Sequence, residues 1–177
     1  MKKAIKKYLT QLHENEEKGF SLVELIIVMA IMAILVGVVA SQVIPYMEKS
    51  RQSKDQQQLS GLVTDITASL ASSAVSAQNV AACELNETAL KNMAADPTND
   101  GPKIVEEFNS LRNASSCGAA ITGVKDKLKS KAATDSTQGN KKVFMSYDVT
   151  KSELTIYMTK NGTVSGTKIN KLTVVSE

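Results

Sequence analysis

The sequence predicts an α+β protein: a long N-terminal helix, apolar in its first half and amphipathic in its second, packed on a small C-terminal antiparallel sheet. Three observations carry that prediction. Leu25 to Ala40 is an unbroken run of apolar residues that includes one glycine, Gly37. Leu59, Leu62, Val63, Ile66, Leu70, Ala74 and Val75 then recur at three- and four-residue steps, one face of an amphipathic helix. Val143–Val149, Leu154–Thr159 and Leu172–Val175 are rich in β-branched and aromatic residues and are bounded by turn residues. A chain of 177 residues suits one domain plus one special segment.

The apolar segment comes first. From Phe20 to Ile44 the only ionisable residue is Glu24. With Val43 and Ile44 the apolar stretch reaches about 20 residues, the length a helix needs to cross roughly 30 Å of hydrocarbon. Only a helix pairs every backbone N–H and C=O within a single segment, so residues 20–46 are expected to span a membrane. A secretory signal peptide fits less well. Its apolar core is about 7–15 residues long and precedes a small-residue cut site; here Ser41-Gln42-Val43 leads into Ile44 and Pro45. The segment before the span carries Lys2, Lys3, Lys6, Lys7 and Lys18 against Glu14, Glu16 and Glu17. That bias favours an N-terminus inside the cell and an exported C-terminal part, although Lys49, Arg51 and Lys54 beyond the span weaken the contrast.

A plain anchor does not explain Glu24. A charged side chain at the centre of a membrane helix costs roughly 2.5–3.5 kcal/mol, less near the interface, and such groups usually have a partner. No Lys or Arg lies between Phe20 and Glu48. Glu24 therefore sits among head groups, or its partner comes from another molecule. Lys18-Gly19-Phe20-Ser21-Leu22-Val23-Glu24-Leu25, followed directly by the apolar run, resembles the prepilin signature of type IV pilins and related pseudopilins. The resemblance is close from Gly19 to about Tyr46 and looser along the helix beyond.

The resemblance implies that a membrane peptidase cuts after Gly19 and methylates the freed amine of Phe20. It makes residues 1–19 a leader, to which His13 belongs. It also implies that the amine of Phe20 on a neighbouring subunit pairs with Glu24. That pair lowers the cost of burying both charges, and it exists only after cleavage, so cutting acts as an assembly licence. Two departures stand out. The leader is long and Glu-rich beside the cut. Many relatives have a proline where this chain has Ser41; here it comes four residues later, at Pro45. Proline has no N–H for the Ser41 carbonyl, so a kink or local melting is expected there.

Residues 47–78 read as the amphipathic stalk helix and 79–177 as an exported globular head. The Leu stripe is taken as a core face for the head, since it spans too few heptads for a coiled coil. Asn79 to Ile121 reads as loop with short helices at Glu87–Ala95 and Lys103–Arg112. Asp96 to Pro102 between them is a turn by composition, without the ligand spacing of an EF-hand. Cys83 and Cys117 are the only cysteines, and two in an exported domain more often pair than stay free. A bridge between them restrains the unfolded chain by about 3–4 kcal/mol on the entropy model. Two free thiols and an intermolecular bridge are the alternatives.

Gly123 to Lys142 is polar, with Lys125, Lys127, Lys129 and Lys131 at alternate positions. A solvated loop or charge-guarded edge strand is the simpler reading, and a patch for DNA or acidic lipid the sharper one. In the C-terminal third, Thr150-Lys151-Ser152 can link two strands, and Asn161-Gly162 is a strong turn signal.

Composition disfavours most enzymes. There is no Trp, one His, and 4% aromatic residues, so base stacking, His catalysis and His-ligated metal sites find little support. A net charge of +3 is too mild to argue a nucleic-acid partner. No phosphate loop, dinucleotide fingerprint or nucleophile–base set is present. The expectation is a non-enzymatic filament subunit that needs no cofactor and no metal. It is held in the cytoplasmic membrane as precursor, head outward, and moves to an extracellular filament made of copies of itself. The resemblance implies the prepilin peptidase, an assembly platform and an ATPase motor as partners. A pseudopilin of a secretion or competence system, or a minor tip-located adhesin or DNA-binding pilin, is the alternative.

Overall fold

The computed structural model describes residues 20–134 and 142–176. In chain order the elements are α1 (Leu22–Ser72), β1 (Val80–Glu84), α2 (Glu87–Lys91), α3 (Gly101–Leu111), α4 (Cys117–Lys125), α5 (Lys131–Thr134), β2 (Phe144–Asp148), β3 (Glu153–Thr159) and β4 (Lys168–Val175). The expected α+β class, a long N-terminal helix followed by a small antiparallel sheet, is what the chain forms. It divides into two compact units at Pro45, so the amphipathic half of α1 belongs with the strands.

In the first unit the residues from Leu22 to Ile44 are all exposed. Their side chains are apolar on every side of the helix, so no single face can be turned inward. Pro45 lies inside α1, which is assigned as one helix from Leu22 to Ser72. Its missing N–H costs one hydrogen bond at the Ser41 carbonyl. Helical pairing on both sides of that gap is otherwise retained.

In the second unit Leu59, Leu62, Val63 and Ile66 are buried, as their spacing predicts. They share one core with Met145 and Tyr147 of β2, Leu154, Ile156 and Met158 of β3, and Leu172 of β4. Ala89 and Leu90, Ile104 and Phe108, and Ile121 and Val124 add one layer each from α2, α3 and α4. Each large side chain buried this way contributes roughly 1.5–3 kcal/mol. The strands run antiparallel in the order β1-β2-β3-β4. Opposite the core face, Phe144 and Tyr157 pair across β2 and β3 with ring centroids 5.8 Å apart, and the Lys168 ammonium lies 4.3 Å from the Tyr157 ring centre.

Polar contacts fix the ends. The turn before α3 is held by Asp96, whose Oδ1 accepts the N–H groups of Thr98 and Asn99 at 3.0 Å each. The Asn99 side-chain amide donates to its other oxygen and is the main reason the Asp96 carboxyl stays below the usual range. Gly101 follows because a Cβ there would sit 2.9 Å from the Lys91 backbone. Asp55, buried on α1, accepts from Lys129 N–H at 2.9 Å and from Ser130 N–H at 2.8 Å. Glu48 accepts from Lys131 N–H at 2.6 Å. Segment 128–131 is thus pinned to the helix by two carboxylates more than 70 positions earlier in the chain.

Several boundaries differ from expectation. The stalk helix ends at Ser72 rather than near 78, and Ala74 closes it at φ 51. That left-handed position usually takes Gly, so the sequence carried no stop signal. β1 and α4 occupy a stretch expected to be mostly loop, and β4 starts at Lys168 rather than Leu172. Ala77 and Ala94 add an isolated bridge beside the sheet. The short helices fall at Glu87–Lys91 and Gly101–Leu111, close to the expected ones.

Candidate functional site

The first turn of α1 carries the residues singled out for processing and assembly. Gly19 and the leader, His13 included, lie outside the described residues. Phe20 is 86% exposed and precedes the helix, and Ser21 caps it. The Ser21 hydroxyl accepts the Val23 N–H at 3.3 Å, while Glu24 Oε2 accepts the Ser21 N–H at 2.8 Å. This reciprocal arrangement is a capping box, with the carboxylate also favoured by the positive end of the helix dipole.

Glu24 therefore has a partner on its own helix, which the search for Lys or Arg missed. The signal was present as Ser21-Leu22-Val23-Glu24, the S-x-x-E pattern ahead of an apolar run. Oε2 is committed to the backbone. Oε1 has no hydrogen bond among the described residues and can accept a further donor. One turn of helix thus places a carboxylate with a free oxygen beside Phe20.

Beyond this turn the surface is apolar. Leu25, Ile26, Ile27, Val28, Met29, Ile31, Leu35 and Val39 are all more than half exposed. The helix is long and apolar enough to cross a membrane, and none of its most apolar stretch is buried among the described residues. Pro45 lies at the far end of this unit and shares nothing with the Glu24 turn.

Cys83 and Cys117 belong to the other unit, and both are free thiols in this structure. Glu84 of β1 reaches Lys125, at the last turn of α4, at 3.6 Å. Cys117 opens the opposite end of that helix, about 12 Å along its axis. Burial, reinforced by Glu87, pushes the Cys117 thiol up to about 11, and burial also raises Cys83. Both are protonated near neutral pH and make poor nucleophiles. Among the described residues no group of three His, Cys, Asp or Glu side chains could hold a metal ion.

Residues 15–40 match the model of the prokaryotic N-terminal methylation motif. The chain carries the type IV prepilin-like signature. That motif supports a type IV pilin- or pseudopilin-like protein, a structural class, and it implies handling by a prepilin peptidase and pilus assembly machinery in general. With the exposed apolar helix it fits a membrane-anchored precursor. No curated protein sequence and no solved structure matches this chain.

Proposed function

We propose that this chain is the precursor of a structural subunit of a type IV pilus-like filament, matured by cleavage after Gly19 and methylation of Phe20. The observation that carries the reading is the combination at the start of α1. A matched methylation motif, a carboxylate with one oxygen unbonded among the described residues, and an apolar surface that no described residue covers occur together.

Cleavage converts the amide nitrogen of Phe20 into a cationic amine, and Glu24 Oε1 of a neighbouring subunit supplies its counter-charge. Each charge then enters an apolar surrounding already paired, which lowers its desolvation cost. In the uncut chain that nitrogen is a neutral amide and gives Glu24 nothing to pair with. The apolar surface stays covered throughout, first by lipid and then by other copies of the helix in the filament core, so the helix leaves the membrane without facing water. The head is exported and ends on the filament surface. Peptidase, platform and motor act on the subunit and carry the catalysis.

Intact-mass and N-terminal peptide spectra of sheared surface material test the reading. The expected product starts at methylated Phe20. Full-length protein confined to the membrane fraction, in cells whose peptidase cuts other substrates, overturns it. Glu24→Ala is expected to abolish incorporation into filaments while cleavage continues; normal incorporation refutes the pairing.

A further inference from the structure

We propose that the end of the second unit nearest the apolar segment is a basic collar that binds anionic lipid head groups while the chain is anchored in a membrane. The inference rests on the membrane-anchored reading above and goes beyond it.

The collar has two parts. Lys49, Arg51 and Lys54 are exposed on α1, the first of them four residues after Pro45. At 3.6 residues per turn, Arg51 lies about 40° and Lys54 about 100° to one side of Asp55 round the helix, and Lys49 about 120° to the other. The second part is segment 127–131. Leu128 and Ser130 are fully buried, while Lys127, Lys129 and Lys131 between and beside them are exposed. All three ammonium groups are therefore carried at the surface.

What joins the two parts is the pair of carboxylates described above. Asp55 and Glu48 hold the backbone of residues 129–131 against the same two turns of α1 that carry the other three cations. None of the six makes an ion pair among the described residues, although Lys91, Lys103, Arg112 and Lys125 elsewhere in the unit all do. Lys49 only leans over the Tyr46 ring, at 5.5 Å. Of the nearby acids, Glu48 and Asp55 are engaged by backbone N–H groups, which leaves Asp126 as the one exposed carboxylate in the segment.

Three cations lie four to nine residues beyond Pro45 and three more on the segment pinned beside them, none in an ion pair among the described residues; such a cluster attracts the phosphates of anionic lipids, and the attraction decays within a Debye length. The proposal does not depend on orientation, because the collar meets the leaflet on whichever side the second unit lies. Anionic lipid is favoured over nucleic acid because three of the cations follow the apolar segment within nine residues of Pro45 and the other three are pinned to the same two turns of helix. A duplex would need them aligned along one exposed face.

The test is lysine acetylation footprinting of the full chain in nanodiscs, read by mass spectrometry. Discs of phosphatidylcholine alone are compared with discs in which part of it is replaced by phosphatidylglycerol. Lys49, Lys54, Lys127, Lys129 and Lys131 are expected to react about threefold or more slowly in the anionic discs, with Lys151 and Lys160 unchanged. The protection should vanish at about 0.5 M salt. Equal rates in both discs, with the chain fully incorporated, overturn the collar alone. Protection that rises with the number of chains per disc in either lipid assigns the surface to a second copy instead. Protection by added duplex DNA in neutral discs, with none from anionic lipid, assigns it to nucleic acid. Failure to enter either disc overturns the membrane-anchored reading and the collar with it.

Discussion

Leu25, Ile31 and Leu35 are all more than half exposed, whereas Leu59, Leu62 and Ile66 on the same helix are fully buried. The residue types are the same; the difference is in what accompanies them. Between Leu59 and Ile66 the apolar positions alternate with Ser60, Gly61, Thr64 and Asp65, so a stripe faces the core and the rest faces water. Between Leu22 and Ile44 the apolar residues cover the whole circumference. A chain's own core can take up one stripe, but a helix apolar all round needs cover on every side, which lipid or a ring of neighbouring copies supplies.

The sharpest way to break this comparison is to make one truncation in each region. Leu62→Ala leaves a cavity in the core of the second unit, and should cost about 2–5 kcal/mol by urea unfolding followed by far-ultraviolet dichroism. Leu35→Ala should leave that unfolding midpoint where it was. If the two variants lose equal stability, the first unit has a packed environment within the single chain and the contrast is wrong.

A smaller loss is expected at Asp55. Asp55→Ala strands the N–H groups of Lys129 and Ser130 in a buried place and should destabilise the second unit by about 2–3 kcal/mol. Asp55→Asn keeps one acceptor oxygen and should recover about half of that. An Ala variant as stable as the parent would mean that segment 128–131 is held by its apolar contacts alone.

The thiols give a pH signature confined to the second unit. Burial raises the folded Cys117 above its ordinary value near 9, to about 11. The native state thus holds its proton more tightly than the unfolded chain does. Stability is intact below pH 9 and falls as the pH rises from 9 through 11. Alkylation of the folded protein should modify half-buried Cys83 before buried Cys117, and both only slowly near neutral pH. Rapid modification of Cys117 at neutral pH would contradict its burial.

The smallest effect concerns the end of α1. Ala74 holds φ 51, a conformation that Gly adopts without the Cβ clash, so Ala74→Gly should raise stability by about 0.5 kcal/mol after its own entropy cost. A loss would show that the alanine methyl packs more usefully than the backbone strains.

What could be read in the sequence was local. The span from Phe20 to Ile44 needs only composition and length, the Leu59–Ile66 stripe needs only helical spacing, and β2 and β3 announce themselves by β-branched and aromatic runs between turns. The processing motif is a contiguous string, and its match over residues 15–40 needs no fold at all. Even the capping box of Ser21 and Glu24 was written in four consecutive residues, though it is visible only when backbone N–H groups are counted as partners alongside charged side chains.

Tertiary structure decided the rest, because the determinants lie far apart in the chain. Val80–Glu84 is alanine-rich and has no alternation; it becomes a strand because β2 offers it an edge, Val80 opposite Tyr147 and Cys83 opposite Met145 with an irregularity between them. Glu84, beside Cys83, meets Lys125 at the end of α4 opposite Cys117, a pairing across 41 positions that no local pattern announces. The lysines at 127, 129 and 131 read as a solvated loop until Asp55 and Glu48 anchor that loop beside Lys49, Arg51 and Lys54. Composition and spacing fix which residues must avoid water; which of them meet is set by hydrogen bonds and packing across more than 70 residues, which no local pattern records.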